Sequence, residues 1–339
     1  MNLRPLAAAL LSLTPLVAAE GGRRAVTHED VWLMRRVGAP VPSPDGQRVV
    51  FPVTMPAYEA KAQTSDLWLA PVDGSAEPRQ ITHDKAAESG VAWSPDSTRI
   101  AFSAQRQGDE AAQIYVIDLA AGGEARRITE VVTGARQPRW SPDGTKLLFV
   151  SEVHPGAADE EANRKAAQAV KDRKHTARVH DSFPIKYWDR WLDDRRGHLL
   201  VQEAKPGAKA RDLLAGTRLA AEPGFGGRQG DAGEYLPAAW TPDGGAVVFV
   251  ATTARHRGAH AGVPAQLFQV DLLGGEPRAL TRDGDAYDEP EFSADGRTLR
   301  VALTPGGDGK TYHHNRVAVF PWPFEAARRE VLTRELDLS

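Results

Sequence analysis

One short phrase, written five times, constrains this chain more than any other feature. It reads Pro42-Ser43-Pro44-Asp45-Gly46, Trp93-Ser94-Pro95-Asp96-Ser97, Trp140-Ser141-Pro142-Asp143-Gly144, Trp240-Thr241-Pro242-Asp243-Gly244 and Phe292-Ser293-Ala294-Asp295-Gly296. An apolar run follows soon after, as in Val49-Val50-Phe51, Ile100-Ala101-Phe102, Leu147-Leu148-Phe149-Val150 and Val247-Val248-Phe249-Val250. Successive Ser/Thr positions are 51, 47, 100 and 52 residues apart, so the long step holds either a masked copy or an insertion. A fixed period of about fifty residues is the mark of a repeat architecture.

The phrase has a local physical meaning. Ser, Pro and Gly stand where a type I turn wants them: a hydroxyl first, a pre-set φ second, a permissive residue fourth. The preceding aromatic closes one strand and the apolar run opens the next. A third strand follows in Asp66-Leu67-Trp68-Leu69, Gln113-Ile114-Tyr115-Val116 and Gln266-Leu267-Phe268-Gln269. Short closing strands come after it, at Arg79-Gln80-Ile81-Thr82, Arg127-Ile128-Thr129 and Arg278-Ala279-Leu280-Thr281. Four strands per period predict an all-β chain, a β-propeller of four-stranded blades. About five blades are recognisable, read as an incomplete ring. A β-sandwich with similar turns is the alternative.

Composition narrows the function classes. The chain of 339 residues is 41% hydrophobic and 26% charged, with net charge −3 and no cysteine. That balance implies no polyelectrolyte partner, and nucleic-acid binding is not expected. Without cysteine there is no disulfide, thiolate metal site or thiol nucleophile. Residues 1–19 read as a signal peptide: Met1 to Arg4 is positive, Leu6 to Val17 is apolar, and Val17-Ala18-Ala19 suits cleavage before Glu20. A buried or spanning N-terminal helix is the competing reading, but Pro5 and Pro15 interrupt it. No later segment is apolar for long enough to cross a bilayer. The expected location is periplasmic or secreted, without membrane attachment after cleavage.

The expected organisation is a lead-in at 20–38, a propeller at 39–333 with an insertion at about 152–196, and a tail at 334–339. Thr27 with Glu29-Asp30 predicts a short capped helix. Residues 157–180 are rich in helix formers, acidic first and basic last, which suits the helix dipole. Glu161 and Lys165 are spaced for an i,i+4 pair. Phe183-Pro184-Ile185-Lys186-Tyr187-Trp188-Asp189-Arg190-Trp191 then puts enough aromatic surface in one place to anchor the insertion or to line a pocket. Gly224 to Gly233 reads as a loop.

Catalytic chemistry is sparse. No Gly-x-Ser-x-Gly elbow occurs, so no catalytic residue is assigned. No metal or cofactor site is expected. His256 and His260 flank glycines, His313-His314 is merely adjacent, and no His-Glu-x-x-His or phosphate loop is present. Asp283-Gly284-Asp285-x-x-Asp288-Glu289 has the look of a calcium loop but lacks the full spacing, and inter-blade turns favour the same residues. The binding candidates are Glu160, Glu161, Trp188, Arg190 and Trp191.

These residues carry a resemblance. Ser-Pro-Asp-Gly blades resemble those of TolB-like propellers and of the propeller domain of prolyl oligopeptidase-type serine peptidases. Ala177-Arg178-Val179-His180-Asp181, Lys186 to Trp191 and Arg195-Arg196-Gly197-His198-Leu199 look like the third-blade segment of bacterial dipeptidyl and acylaminoacyl peptidases of that family. Lys186-Tyr187 departs from the Arg-His pair usual there. The resemblance implies a substrate-gating propeller whose partners are a peptide and an α/β-hydrolase domain carrying the Ser-Asp-His triad. Glu160-Glu161 invites comparison with the glutamate pair that holds a peptide amino terminus in dipeptidyl peptidase IV, although the surrounding residues do not match. The alternative is a free-standing TolB-like propeller that binds proteins.

Overall fold

The computed structural model describes residues 24–59, 62–180, 183–259, 262–306 and 314–334. The expected signal peptide, Asp181, His260, His313 and residues 335–339 of the expected tail lie outside the described residues. Five antiparallel sheets follow one another along the chain. In blade one, Arg48–Met55 pairs with both Arg36–Val37 and Val41–Pro42, then with Thr64–Pro71, which pairs with Arg79–Gln80. Blade two is Ser89–Trp93, Arg99–Ala104, Gln113–Asp118 and Arg126–Arg127. Blade three is Arg136–Trp140, Lys146–Val153, Arg196–Glu203 and Arg211–Asp212. Blade four is Ala238–Trp240, Ala246–Ala251, Gln266–Asp271 and Arg278–Ala279, and blade five is Ala286–Phe292, Thr298–Thr304, Arg316–Pro321 and Glu330–Val331. An insertion between the second and third strands of blade three, residues 154–195, accounts for most of the excess of the long step over the usual period.

The repeated phrase works as one hydrogen-bonded unit. Each Ser or Thr hydroxyl donates to the Asp two residues on, at 2.5–2.6 Å. The same oxygen accepts the N–H five residues on, from Arg48, Arg99, Lys146, Ala246 or Thr298. The Asp in turn accepts the backbone N–H after the turn. The hydroxyl donors hold Asp96 and Asp143 down to about 2. The fifth position is left-handed in every copy, Gly at four and Ser97 (φ 58°) at one.

The blades are joined by side chains of the same phrase. Trp93 Nε1 donates to Val41 O, Trp140 Nε1 to Ala92 O and Trp240 Nε1 to Arg139 O, each reaching the first strand of the blade before. Arg48 and Arg99 reach forward, stacking on Trp93 and Trp140 and donating to the backbone of the next turn. Four apolar cores fill the four seams between consecutive blades. No such core joins blade five to blade one among the described residues. Blade one leaves Phe51 and Trp68 half-buried on its outer face, and blade five leaves Val317 and Val319 so. The second strand of blade four, by contrast, is buried on both faces.

Two expectations need correction. The i,i+4 pair on helix α2 (Glu160–Lys171) is Glu160–Arg164 at 3.6 Å, not Glu161–Lys165, because Glu160 is the residue turned toward the blade and Glu161 faces solvent. The Gly-rich stretch is not a plain loop: Arg228–Gly230 and Gly233–Tyr235 form a hairpin. Gly227 lies against Tyr235 O and Gly226 against Arg255, so neither position has room for a Cβ. The predicted N-terminal helix α1 (His28–Trp32) is present, with a Thr27–Asp30 capping box.

Candidate functional site

Strand direction decides which end of the propeller carries the insertion. Each first strand runs into its Ser-Pro-Asp-Gly turn. The loop between second and third strands therefore lies at the opposite end, with the links between blades and the lead-in. The blade-three insertion, the 228–235 hairpin and Arg255 all gather there.

The insertion contributes a second hairpin, Lys186–Tyr187 against Arg190–Trp191. Its tip holds Trp188 at φ 51° with 85% of its surface exposed. A bulky residue in that region is strained, and such strain collects at functional positions. Lys186 Nζ sits 4.8 Å from the Trp191 ring centre, the His180 ring stacks on Trp191, and the Arg190 guanidinium lies over Tyr187. Arg190 also donates to Gly230 O and Asp231 O at 2.9 and 2.7 Å, fixing one hairpin on the other. Arg228 pairs with Asp288 at 2.6 Å, which ties the lower hairpin to the first strand of blade five.

Three of the first strands carry bulges of their own. Gly90, Gln137 and Glu289 all have positive φ, three residues before the phrase aromatic, where the pairing register shifts. Arg139 on the same wall keeps solvent access, yet desolvation by its surroundings lowers its pKa, opposed by the charges of Glu291 and Glu289. Beneath the hairpins is a polar chamber of about 70 Å³ lined by Glu152, Asp193, Arg195, Gln229, Glu234 and Arg255, among others. Glu234 is buried there, and burial pushes its pKa up against the pull of Arg255. Its Oε2 has no hydrogen-bond partner among the described residues. Its backbone N–H donates to Glu152 at 2.9 Å.

Of the sequence candidates, the structure brings Trp188, Arg190 and Trp191 together in one hairpin. It does not bring Glu160 and Glu161 to them. Glu160 accepts the Val132 N–H at 2.7 Å, and α2 is strapped further by Lys171–Glu110 and by Asn163, which accepts the His154 N–H. Sequence reasoning missed Glu152, Glu234, Arg255 and Arg139: the Glu234 N–H finds Glu152 82 residues away, Arg255 acts on Glu234 from a different loop 21 residues on, and Arg139 of blade three feels Glu289 and Glu291 of blade five. The Gly226-Gly227 pair was the signal for close packing there. The acidic stretch at 283–289 is satisfied by arginines: Asp283 and Asp285 face Arg329, and Asp288 faces Arg228. No cluster of three metal-ligating side chains occurs among the described residues.

Comparison with known proteins agrees with this architecture. Residues 21–176 match the family model described as the TolB beta propeller domain. Dipeptidyl-peptidase 5 of Porphyromonas gingivalis is 24% identical over 293 residues, 85% of this chain and 40% of that protein. The acylaminoacyl peptidase structure of Pyrococcus horikoshii superposes with a TM-score of 0.60 at 15% identity, covering 91% of this chain and 41% of that one. The propeller domain of the Trilobed protease from Pyrococcus furiosus gives a TM-score of 0.53 at 13% identity, over 89% of this chain and 73% of that one. The chain thus spans about 40% of the length of the curated relative quoted. Residues 21–176 resemble the TolB beta propeller domain, and the solved structures share the β-propeller fold.

Proposed function

We propose that these residues form the substrate-gating propeller of an exported serine peptidase whose catalytic groups belong to an α/β-hydrolase domain. The observation that carries the reading is the aromatic hairpin with Trp188 at its tip, held over the end of the propeller where the lead-in and inter-blade links emerge. A domain joined to the propeller meets that end first. Peptides pass the hairpin on their way to it, and the propeller contributes selection rather than bond cleavage. The likeness to dipeptidyl-peptidase 5 over most of the chain supports a peptidase setting. No described helix is long and apolar enough to cross a membrane.

The test uses the product of the gene as cells make it. Intact mass of the periplasmic protein is expected to place Glu20 at the N-terminus. A fluorophosphonate probe is expected to label a serine beyond Ser339 and to leave a polypeptide of residues 20–339 unlabelled. A retained Met1, or labelling within the 20–339 polypeptide, overturns the corresponding half of the reading.

Gating has its own readout. Trp188→Gly relieves a left-handed side chain, so stability should rise by roughly 1 kcal/mol. In the whole peptidase the same change should raise KM for longer peptides by roughly 10-fold, the scale of a lost aromatic anchor, and leave a short chromogenic substrate unaffected. Equal KM values for long peptides in both proteins would remove the hairpin from the path.

A further inference from the structure

A second cavity, separate from the hairpin and the polar chamber, lies between the start of the insertion, blade three and the short helix α3 (Arg218–Ala221). Its volume is about 480 Å³, within the range of small-ligand pockets. The walls are small and apolar: Val153, Pro155, Ala158, Ala215, Ala220 and Pro223. Among the described residues no Phe, Tyr, Trp or long aliphatic side chain lines it, which leaves room for a planar ring.

One imidazole enters this cavity with a fixed orientation. His198 lines it and is 8% exposed. Its Nδ1 is 2.7 Å from Asp212 Oδ2. Asp212 is itself held by the N–H groups of Leu214 and Ala215 at 2.8 and 3.1 Å. Phe225 packs against the imidazole edge-on at 6.2 Å. A carboxylate accepts only, so the neutral ring carries its proton on Nδ1 and keeps the Nε2 lone pair free. Nε2 has no hydrogen bond among the described residues, nor is it among the sealed-off polar atoms. Asp194 and Glu222 outnumber Arg196 around the cavity, which disfavours an anionic ligand.

We infer that this cavity binds an uncharged aromatic ring bearing one hydrogen-bond donor, a phenol or an indole, which donates to His198 Nε2. Nothing in the gating function requires this site. The ring comes either from a free small molecule or from a tyrosine or tryptophan side chain of a peptide.

The experiment titrates the 15N-labelled protein at pH 8 with p-cresol, indole, toluene, N-acetyltyrosinamide and a Gly-Tyr-Gly amide capped at its N-terminus. The His198 imidazole resonances report occupancy. Saturable shifts are expected with p-cresol and indole, and toluene should bind roughly 10-fold more weakly for want of the hydrogen bond. Ala220→Leu should abolish binding by filling the cavity. Ala221→Leu, at an exposed position on the same wall, serves where the first variant folds poorly. Asp212→Asn keeps its oxygen on the Leu214 and Ala215 N–H groups and turns an amide N–H toward Nδ1, which shifts the ring proton to Nε2 and should cost the p-cresol preference over toluene. Capped peptide matching N-acetyltyrosinamide assigns the ring to a peptide side chain; binding of the free phenols alone assigns it to a small molecule. An absence of saturable shift with p-cresol and indole, parity of toluene with p-cresol, or undiminished binding in a folded cavity-filling variant overturns the inference.

Discussion

Trp140→Ala should destabilise the propeller by about 3–5 kcal/mol, the range for emptying a large aromatic from a core. Trp140 is 7% exposed and packs in the core between blades two and three. Its indole N–H donates to Ala92 O at 3.2 Å, and the Arg99 guanidinium lies 4.4 Å from the ring centre. The truncation removes apolar burial, a cation–π contact and an inter-blade hydrogen bond at one point. Trp140→Phe separates these, because it keeps most of the ring and loses the N–H. Its cost should be about 1 kcal/mol, the net worth of a hydrogen bond.

Blade five shows what the phenylalanine version looks like. Phe292 occupies the phrase aromatic there and packs edge-on against Trp322 at 4.8 Å, with no N–H to send to blade four. Urea midpoints followed by circular dichroism read the loss. Because each blade in a stacked array touches only its neighbours, unfolding should broaden as one seam weakens before the rest. A loss below about 1.5 kcal/mol for Trp140→Ala would show that the seam is held elsewhere and that the aromatic of the phrase serves the turn alone, contrary to the cavity cost expected for a core aromatic.

Blade architecture was legible because the repeated phrase is local. Ser94, Asp96 and the Arg99 N–H lie within six residues of one another, so their hydrogen-bonded unit can be read along the chain. The third-blade insertion was equally plain from the 100-residue step and the helix formers after it. The site was only partly legible. Trp188, Arg190 and Trp191 stand together in sequence and stay together in space. Glu152 and Glu234 are 82 residues apart, and their contact depends on two glycines letting a hairpin lie flat. The surroundings of Glu160 were hidden for the opposite reason. Its neighbours in sequence are acidic, but its partner is the Val132 N–H, 28 residues earlier on the link into blade three.

Glu88→Gln should flatten the pH dependence of stability between about pH 4.5 and 7. Glu88 has no exposed side-chain surface and lies at the seam between blades one and two. Burial pushes its pKa up to about 7, with the negative charge of Asp66 acting in the same direction. The Thr82 hydroxyl donates to Oε2 at 3.0 Å and Arg106 stands 3.4 Å from Oε1, and both oppose the rise without cancelling it. Asp66 is buried too, with Oδ1 unpartnered, and desolvation also raises its pKa. His83 acts on Asp66, and Asp84 lies 3.9 Å from Arg106.

The sign follows from linkage. A carboxyl that is harder to ionise in the folded state than in the unfolded chain favours folding while protonated. Its contribution is fully present below the unfolded pKa and is lost as pH rises through the folded value. For Glu88 that loss amounts to about 3 kcal/mol, complete above pH 7. The turn carboxylates Asp96 and Asp143 have lowered values, so their stabilisation is lost on acidification below about pH 4, outside this window. Urea midpoints of the wild type should therefore fall from pH 5 to pH 8. Those of Glu88→Gln should change far less and exceed the wild type at pH 8. Parallel pH profiles for the two proteins would mean that Glu88 ionises at no cost, with Arg106 compensating its charge in full. Profiles that converge at pH 5 and separate by pH 8 would place the pH-sensitive seam between blades one and two.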